Sequence, residues 1–578
     1  MNTPDFFKRS ELAGALWAFR REFMIVGLFS LVANLLMLAP TIYMMQVYDR
    51  VLHSGSELTL LAVSLITLFL LGVMSFSEWT RSRILVRAGV RFDQRLSTRV
   101  FDASFESYLS QTSASPSRAF GDLITLRQFI TGSGIFAFFD APWAPIYIAV
   151  TYFLHPVLGI VATIFAVIQG VLAWFGHRNT VAPAEVASKA SSDVGAFVQS
   201  KLRNSEVIES MGMLDGLRKR WRELHKVYLL QNNASQNINS RVMAWSKFIR
   251  YTQQSLSLAT GAMLVIEGQL TPGAMIAANL LMSRALAPID GLVQVWRSYI
   301  VTRAAFGRLE KLLGDYPERD PNLSRVAPKG ELTLRDVVAS APGRQQPILK
   351  KVSFAVEPGT VTAILGPSGS GKSTLARVMV GIWPDVAGEV LIDGLPISGW
   401  NRMELGPHLG YLPQDIELFE GTIGENISRF GEMDADKVIE AARGAGLHEM
   451  ILRFPKGYDT PIGEAGNLLS GGQRQRIGLA RAIYGNPVLI VLDEPNANLD
   501  DAGEVALVKT VQHLKERGTT VFLITHRAGA VAVADRILIL QDGRITSDGP
   551  RESVLATLRA VAQRNQPQGP ALGAPQPA

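Results

Sequence analysis

Residues 23–45, FMIVGLFSLVANLLMLAPTIYMM, carry no charged side chain over 23 positions. Crossing a hydrocarbon core takes about 20 helical residues, because only a helix or a closed barrel satisfies its own backbone groups where water is absent. This run therefore predicts a membrane-spanning helix. It is longer than the apolar part of a secretory signal, and QVYDRVLHS after it offers no small-x-small cleavage pattern, so the span is expected to be retained.

Further apolar runs follow at 58–77, 135–154 and 157–176. The last two are separated only by His155 and Pro156, the pattern of a tight helical hairpin. Residues 251–283 hold one charge, Glu267, beside Gly268, Pro272 and Gly273, which predicts two shorter spans around a turn. Six spans result. The composition agrees: 47% of the chain is apolar and 19% charged, against about a quarter charged in soluble domains. The absence of cysteine excludes disulfides, thiolate metal sites and a cysteine nucleophile.

Lysine and arginine orient the spans. The connections at 46–57, 155–156 and 267–273 hold only Arg50, whereas 78–134 carries Arg81, Arg83, Arg87, Arg91, Arg95, Arg99, Arg118 and Arg127, and 177–250 is similarly basic from Arg178 to Arg250. Both termini and both long segments are expected in the cytoplasm, with the long segments continuing the membrane helices. The net charge of +6 is small for the length and sits beside the spans, so it points to membrane lipid and not to nucleic acid. Arg83, Arg87, Arg91, Arg95 and Arg99 recur every fourth residue, the pattern of one helix face, in contact with headgroups and water or forming a substrate-facing basic wall. Leu12, Leu16, Phe19 and Phe23, flanked by Arg20 and Arg21, predict an interfacial helix within an N-terminal segment 1–22. Asp140 interrupts an otherwise apolar span beside Pro142, where a helix end or a water-filled cavity would accommodate it.

The character changes at 316–330, a Pro-, Asp- and Arg-containing linker, and 331–560 alternates short apolar strands with amphipathic helices. The predicted fold class is thus an all-α membrane domain of six helices (23–315) fused to a cytosolic α/β nucleotide-binding domain. In the latter, the strand VTAIL runs into Gly366, Pro367, Ser368, Gly369, Ser370, Gly371, Lys372, Ser373 and Thr374, then a helical segment. This is G-x-x-x-x-G-K-[ST] in the strand-to-helix context the motif requires. Glycines let successive N–H groups converge on an anion, Lys372 neutralises β- and γ-phosphate charge, and Ser373 offers a hydroxyl to Mg²⁺. A second strand, PVLIVLDEP, ends in Asp493, suited to the Mg²⁺ shell, and Glu494, a candidate general base for a water in line with the γ-phosphate.

Between these elements lies LSGGQ, 469–473. With Gln414 in YLPQD, His526 in LITHR and NLD at 498–500, the order and spacing resemble the ATP-binding cassette (ABC) ATPases: signature, Q-loop, switch histidine and D-loop. The resemblance implies a composite site in which Ser470, Gly471, Gly472 and Gln473 of one cassette cover the nucleotide held by another. Because one chain supplies one cassette, it also implies a homodimer. By the same resemblance Gln414 contacts Mg²⁺ and couples the nucleotide to the membrane helices, and His526 positions the attacking water. The chain departs from such exporters in two places: no aromatic lies between 332 and 353 to stack on adenine, and Ala497 and Asn498 replace the usual D-loop residues.

In the membrane half, MMQVYDRVLHSGS, FDAPWAPIYIAVTYFLHP and RNSEVIESMGML are similar to type I protein secretion transporters, in particular the branch exporting repeats-in-toxin proteases and lipases. That resemblance implies the bacterial inner membrane, a polypeptide cargo with a C-terminal signal, a periplasmic membrane-fusion adaptor and an outer-membrane channel. It places Glu209, Ser210 and Met211 in a short coupling helix. The alternative is an exporter of lipids or small amphiphilic drugs. The tail, 561–578, rich in Pro, Gly, Gln and Ala, is expected to be disordered.

Overall fold

The computed structural model describes residues 10–109, 116–202, 204–318, 326–341, 346–463, 466–497, 499 and 501–564. Two compact units divide the chain, the first running to Glu318 and the second from Arg319, with 109–112 assigned to the latter.

The first unit is helical. In order come α1 (Glu11–Ala18), α2 (Arg20–Leu36), α3 (Ala39–Gln46), α4 (Glu57–Leu109), α5 (Pro116–Thr131), α6 (Ser133–Asp140), α7 (Trp143–Leu154), α8 (Pro156–Leu202), α9 (Ser205–Ser210), α10 (Leu214–Ile266) and α11 (Pro272–Asp315). At about 1.5 Å per residue, the 53 residues of α4 extend about 80 Å, far beyond a core about 30 Å thick. The basic stretches of α4, α8 and α10 are thus helical continuations of apolar segments. Among the described residues five helical stretches are long and apolar enough to cross a membrane: Arg20–Ser54, Glu57–Leu109, Arg118–Leu154, Pro156–Leu202 and Pro272–Asp315. Helix α10 is not among them. Its last part, 251–266, contains Gln253, Gln254, Ser255, Ser257 and Thr260, which dilute the apolar signal of the sixth expected span.

The breaks have local causes. The expected turn at 267–273 is present: Gly268 adopts φ +73°, and Thr271 caps α11 by accepting a hydrogen bond from the Ala274 N–H at 3.1 Å. The span expected at 135–154 is interrupted at Ala141 and Pro142, which separate α6 from α7 and put Asp140 at a helix end. There Asp140 accepts from Asn34 Nδ2 at 2.8 Å and from Arg81 Nη1 at 3.1 Å. The connection expected at 46–57 is mostly helical instead. A π-turn, Val47–Val51, continues α3 and carries Asp49 to the start of α11, where its carboxylate accepts from Thr271 Oγ1 (2.7 Å) and the Gly273 N–H (2.8 Å).

Two expectations for basic and amphipathic faces need correction. Leu12 and Phe19 of α1 and its flank are buried among Phe92, Leu96 and Val100 of α4, Leu123 of α5 and Leu309 of α11, so a protein core occupies the face read as interfacial. Arg99 is buried as well. It donates to Glu11 Oε2 at 3.1 Å and to the Leu313 and Tyr316 carbonyls at the end of α11, because a cation is favoured where a helix leaves its last carbonyls unpaired. The arginine face is therefore not uniformly solvated.

The described residues of the second unit form two sheets. Strands β1 (Leu332–Ser340), β2 (Pro347–Val356), β4 (Val386–Ile392) and β5 (Leu395–Pro396) pair antiparallel in the order β2-β1-β4-β5. The other sheet, β10-β9-β3-β8-β7-β6, uses β3 (Val361–Leu365), β6 (Leu409–Leu412), β7 (Leu489–Asp493), β8 (Thr520–Ile524), β9 (Arg536–Gln541) and β10 (Arg544–Pro550). It is parallel except for β10. Every residue of β7 and β8 is buried, as expected of parallel strands covered on both faces. The C-terminal helix reaches Arg564, four residues into the expected tail; 565–578 lie outside the described residues.

Candidate nucleotide site

Parallel register sets the site. Ile364 of β3 and Asp493 of β7 each pair with Ile524 of β8, so three strand ends stand level, and loops leaving them meet at the carboxyl edge of the sheet.

The glycine-rich loop leaves β3 and enters α12 (Lys372–Met379). A Cβ on Gly366 would lie 2.0 Å from the Leu540 carbonyl oxygen of β9, so the loop can bend over the sheet edge there only without a side chain. Gly371, at φ +100°, turns the chain into the helix. Ser370 is buried; its carbonyl accepts from the Gly543 N–H of the β9–β10 turn at 3.2 Å, which ties the loop to the sheet edge. Lys372 folds back inside the loop and donates from Nζ to the Gly366 and Pro367 carbonyls, each at 2.9 Å. A buried ammonium poised over a nest of N–H groups at a helix N-terminus is an anion site, and its three donors can exchange carbonyls for phosphate oxygens.

Asp493 ends β7 with 1% of its surface exposed. Burial pushes its carboxyl above the usual carboxylate range, a hydrogen bond from Ser373 works against that shift, and Oδ1 has no partner among the described residues. A desolvated carboxylate oxygen with nothing to accept from, beside the Ser373 hydroxyl, is a donor set short of a cation, and all-oxygen ligands suit Mg²⁺. The residues fit that ion.

Glu494, next in sequence, turns away at φ +51°, its N–H donating to the Ile524 carbonyl at 3.0 Å. Its carboxylate meets two groups from other loops: Gln414 Nε2 donates to Oε2 at 3.2 Å, and His526 Nε2 lies 4.0 Å from Oε1. Three side chains far apart in sequence thus converge on one point. Gln414 follows β6. The turn carrying His526 is braced by Thr525 Oγ1, which donates to Asn496 Oδ1 at 3.3 Å and accepts from the Arg527 N–H at 3.1 Å.

Ser470 is the N-cap of α13 (Gly471–Ile483). Its hydroxyl accepts from the Gln473 N–H at 3.3 Å, and Gln473 Oε1 accepts from the Ser470 N–H at 2.8 Å, a capping box that holds the Gly471 and Gly472 amides at the open helix end. Among the described residues no hydrogen bond joins 470–473 to 366–374 of the same chain. Of the D-loop, Ala497 and Leu499 are described, while Asn498 and Asp500 lie outside the described residues.

Sequence reasoning passed over two side chains. Gln475, 2% exposed on α13, donates from Nε2 to the Glu494 carbonyl at 3.3 Å and so links the signature helix to the residue after Asp493. Arg429 serves four backbone carbonyls between α13 and β6. Both lie in unremarkable polar stretches, and only the tertiary fold supplies their acceptors. Trp383 donates its indole N–H to the Ser340 carbonyl at 2.9 Å and braces the end of β1.

A phosphate-binding loop, an acidic strand end and a capped LSGGQ helix, in one chain with a bundle of membrane-length helices, define an ATP-hydrolysing membrane transporter. The chain belongs to the ABC transporters, with membrane and ATPase domains fused: the profile for the ABC transporter transmembrane region matches residues 23–288 and that for the ABC transporter itself residues 349–497. It is 40% identical to the type I secretion system ATP-binding protein PrsD of Rhizobium meliloti, over 95% of this chain and 94% of that protein. It is 28% identical to the toxin RTX-I translocation ATP-binding protein of Actinobacillus pleuropneumoniae, over 94% and 77%. Among solved structures it resembles a bacterial Atm1-family ABC exporter with ATP bound, with a TM-score of 0.82 and 26% identity over 95% of this chain and 99% of that one.

Proposed function

We propose that this protein is the ATPase and permease of a type I secretion system, exporting a repeats-in-toxin polypeptide with a C-terminal signal across the bacterial inner membrane. The observation that carries the reading is likeness along nearly the whole chain, membrane half included, to a type I secretion ATP-binding protein at 40% identity. The second reading is an ABC exporter of lipids or small amphiphilic drugs; an Atm1-family exporter shares the fold at 26% identity.

In this proposal two chains associate, giving twelve spans and two ATP sites, with both cassettes in the cytoplasm and α10 supplying the sixth span of each chain. Residues 366–374 of one chain hold the ATP phosphates, Lys372 moving from the Gly366 and Pro367 carbonyls onto phosphate oxygens. Ser470, Gly471, Gly472 and Gln473 of the second chain close over the γ-phosphate with the free amides of their helix end. Ser373, Asp493 and Gln414 would hold Mg²⁺, which when bound draws charge from the β- and γ-phosphate oxygens. Glu494 accepts a proton from the attacking water, and His526 aligns that water and meets the γ-phosphate. The contact between Gln414 and Glu494 makes the Q-loop responsive to hydrolysis, so that closure and release of the cassettes alternate the access of the membrane helices. Glu209, Ser210 and Met211 belong to α9 and its C-cap, where no residue is buried, a short exposed helix suited to couple the cassette to the bundle. Partners in this reading are a periplasmic membrane-fusion adaptor, an outer-membrane channel and the secreted polypeptide.

The test is Mg-ATP hydrolysis by purified protein in lipid, wild type against Glu494→Gln, with a C-terminal secretion polypeptide or small amphiphiles added. A wild-type rate that responds to the polypeptide alone supports the proposal. A response to amphiphiles alone overturns the cargo assignment.

A further inference from the structure

We infer that a polar pocket in the membrane unit docks a short, carboxylate-bearing stretch of extended polypeptide, an inference that rests on the export reading above. The pocket, about 420 Å³, opens where α5, α8 and α11 converge. Arg118 and Thr125 line it from α5, Ser188, Ser192 and Gln199 from α8, and Arg308 from α11.

Charge decides the sign of the ligand. Asp122, also in the wall, is taken up by Arg308, whose Nε and Nη2 donate to its two oxygens at 2.8 and 2.6 Å. That pair is neutral and leaves Arg118 with no anionic partner among the described residues. Arg118 sits in the first turn of α5. The site therefore attracts an anion, and a planar guanidinium matches a carboxylate in two hydrogen bonds.

Shape and polarity select a peptide. The α8 wall from Ser188 to Gln199 rises about 16 Å along the helix, the length of about five extended residues. Its hydroxyls and amide can pair with the N–H and C=O groups of such a strand. Among the described residues Val301 is the one large aliphatic residue of the wall, and no aromatic lines it. An acyl chain or aromatic drug would bury those hydroxyls unpaired, at a cost a peptide avoids. Gly121 of α5 and Gly195 of α8 belong to the same wall, and a Cβ built on either meets nothing within 4 Å. The space beside them is free, so a larger side chain there fills the pocket without disturbing the helices.

The experiment uses the full chain in lipid nanodiscs and fluorescence polarisation with two probes, fluorescein-labelled Ser-Gly-Asp-Ser-Gly-Glu-Ser and its uncharged counterpart Ser-Gly-Asn-Ser-Gly-Gln-Ser amide. The acidic probe is expected to bind at least about tenfold more tightly than the neutral one, the worth of one charge-assisted contact. Arg118→Ala should lose about that factor, Arg118→Lys should recover part of it, and Gly195→Leu should abolish binding, while each variant still binds a fluorescent ATP analogue and so is folded. Equal binding of the two probes, or no effect of either Arg118→Ala or Gly195→Leu, overturns the inference. Displacement of the acidic probe by inorganic phosphate at equal concentration also overturns it, since the site would then be a general anion pocket. If a secretion polypeptide stimulates hydrolysis equally in wild type and Gly195→Leu, the pocket fails and the export reading stands. If the acidic probe binds as expected but no secretion polypeptide affects hydrolysis, the export reading fails and the pocket stands.

Discussion

Replacing Arg429 by methionine isolates the link between the signature helix and the strand that leads to Gln414. Arg429 follows the short helix Ile423–Ile427, and both it and Phe430 adopt left-handed backbone, at φ +60° and +57°, a conformation that costs non-glycine residues on the order of 1 kcal/mol each. The guanidinium offsets that strain. Nε donates to the Arg481 carbonyl (2.9 Å) and Nη2 to the Ala482 carbonyl (3.0 Å) at the end of α13, while Nη1 serves the Gly406 (2.9 Å) and Leu409 (3.1 Å) carbonyls at the start of β6. Burial, with the neighbouring Arg481 charge adding to it, holds its pKa down to about 10, still well above neutrality, so the bonds are made by a cation.

Methionine keeps much of the stem and leaves four carbonyls without a donor. At about 1 kcal/mol for each orphaned acceptor the loss is about 4 kcal/mol; relief of the buried charge and entry of water return part of it, leaving about 2–3 kcal/mol. Local opening should therefore become roughly 30- to 150-fold more frequent, read by hydrogen exchange and mass spectrometry on peptides covering 406–412 and 478–484 of the full chain in nanodiscs. Acceleration should be confined to those segments and those packed on them. A change below about 0.5 kcal/mol in both segments would refute the reasoning, because it would show that water replaces the guanidinium at no cost.

Other substitutions probe the site and the bundle. Lys372→Ala, which removes the cation inside the phosphate loop, should weaken ATP binding by at least about tenfold in a fluorescent-nucleotide titration. Glu494→Gln keeps the contacts to Gln414 and His526 in reach but cannot accept a proton, so single-turnover hydrolysis should fall about 10²- to 10⁴-fold while ATP affinity holds. Ser470→Ala breaks the capping box and should cost α13 about 1 kcal/mol, seen as faster exchange of the 470–474 amides. Gly273→Ala would set a Cβ 2.6 Å from the Asp49 carboxylate and should lower the thermal midpoint of the detergent-solubilised protein, whereas Gly268→Asn, at a left-handed turn with open space, should be tolerated.

Local and contiguous signals were the legible ones. The phosphate loop and strand-borne Asp493 are each defined by neighbours in sequence, and each appears in the structure on the element its pattern demanded. The turn at 267–273 was written in Gly268, Pro272 and Gly273. Where partners come from distant segments, sequence gave less. The apolar side of α1 looks the same whether it meets lipid or the Phe92 and Leu96 side chains of α4, so periodicity could not separate the two. The fourfold spacing of arginines fixes a helix face but not that Arg99 would find Glu11 and the end of α11. Asp49 lay in an expected loop because a π-turn leaves no mark on hydropathy. Convergence of Gln414 and His526 on Glu494 depends on the strand order β3-β8-β7-β6, which motif order along the chain does not reveal.

Transport itself tests the central claim most directly. Inverted inner-membrane vesicles containing this chain would be given a fluorescent polypeptide bearing a C-terminal secretion signal, and the fraction protected from added protease would be followed with Mg-ATP. The expected result is protection that requires hydrolysable ATP, disappears with Glu494→Gln and is absent when the signal is removed. Hydrolysis that proceeds normally while the polypeptide stays fully digestible, with a small amphiphile accumulating in the vesicles instead, would contradict polypeptide export.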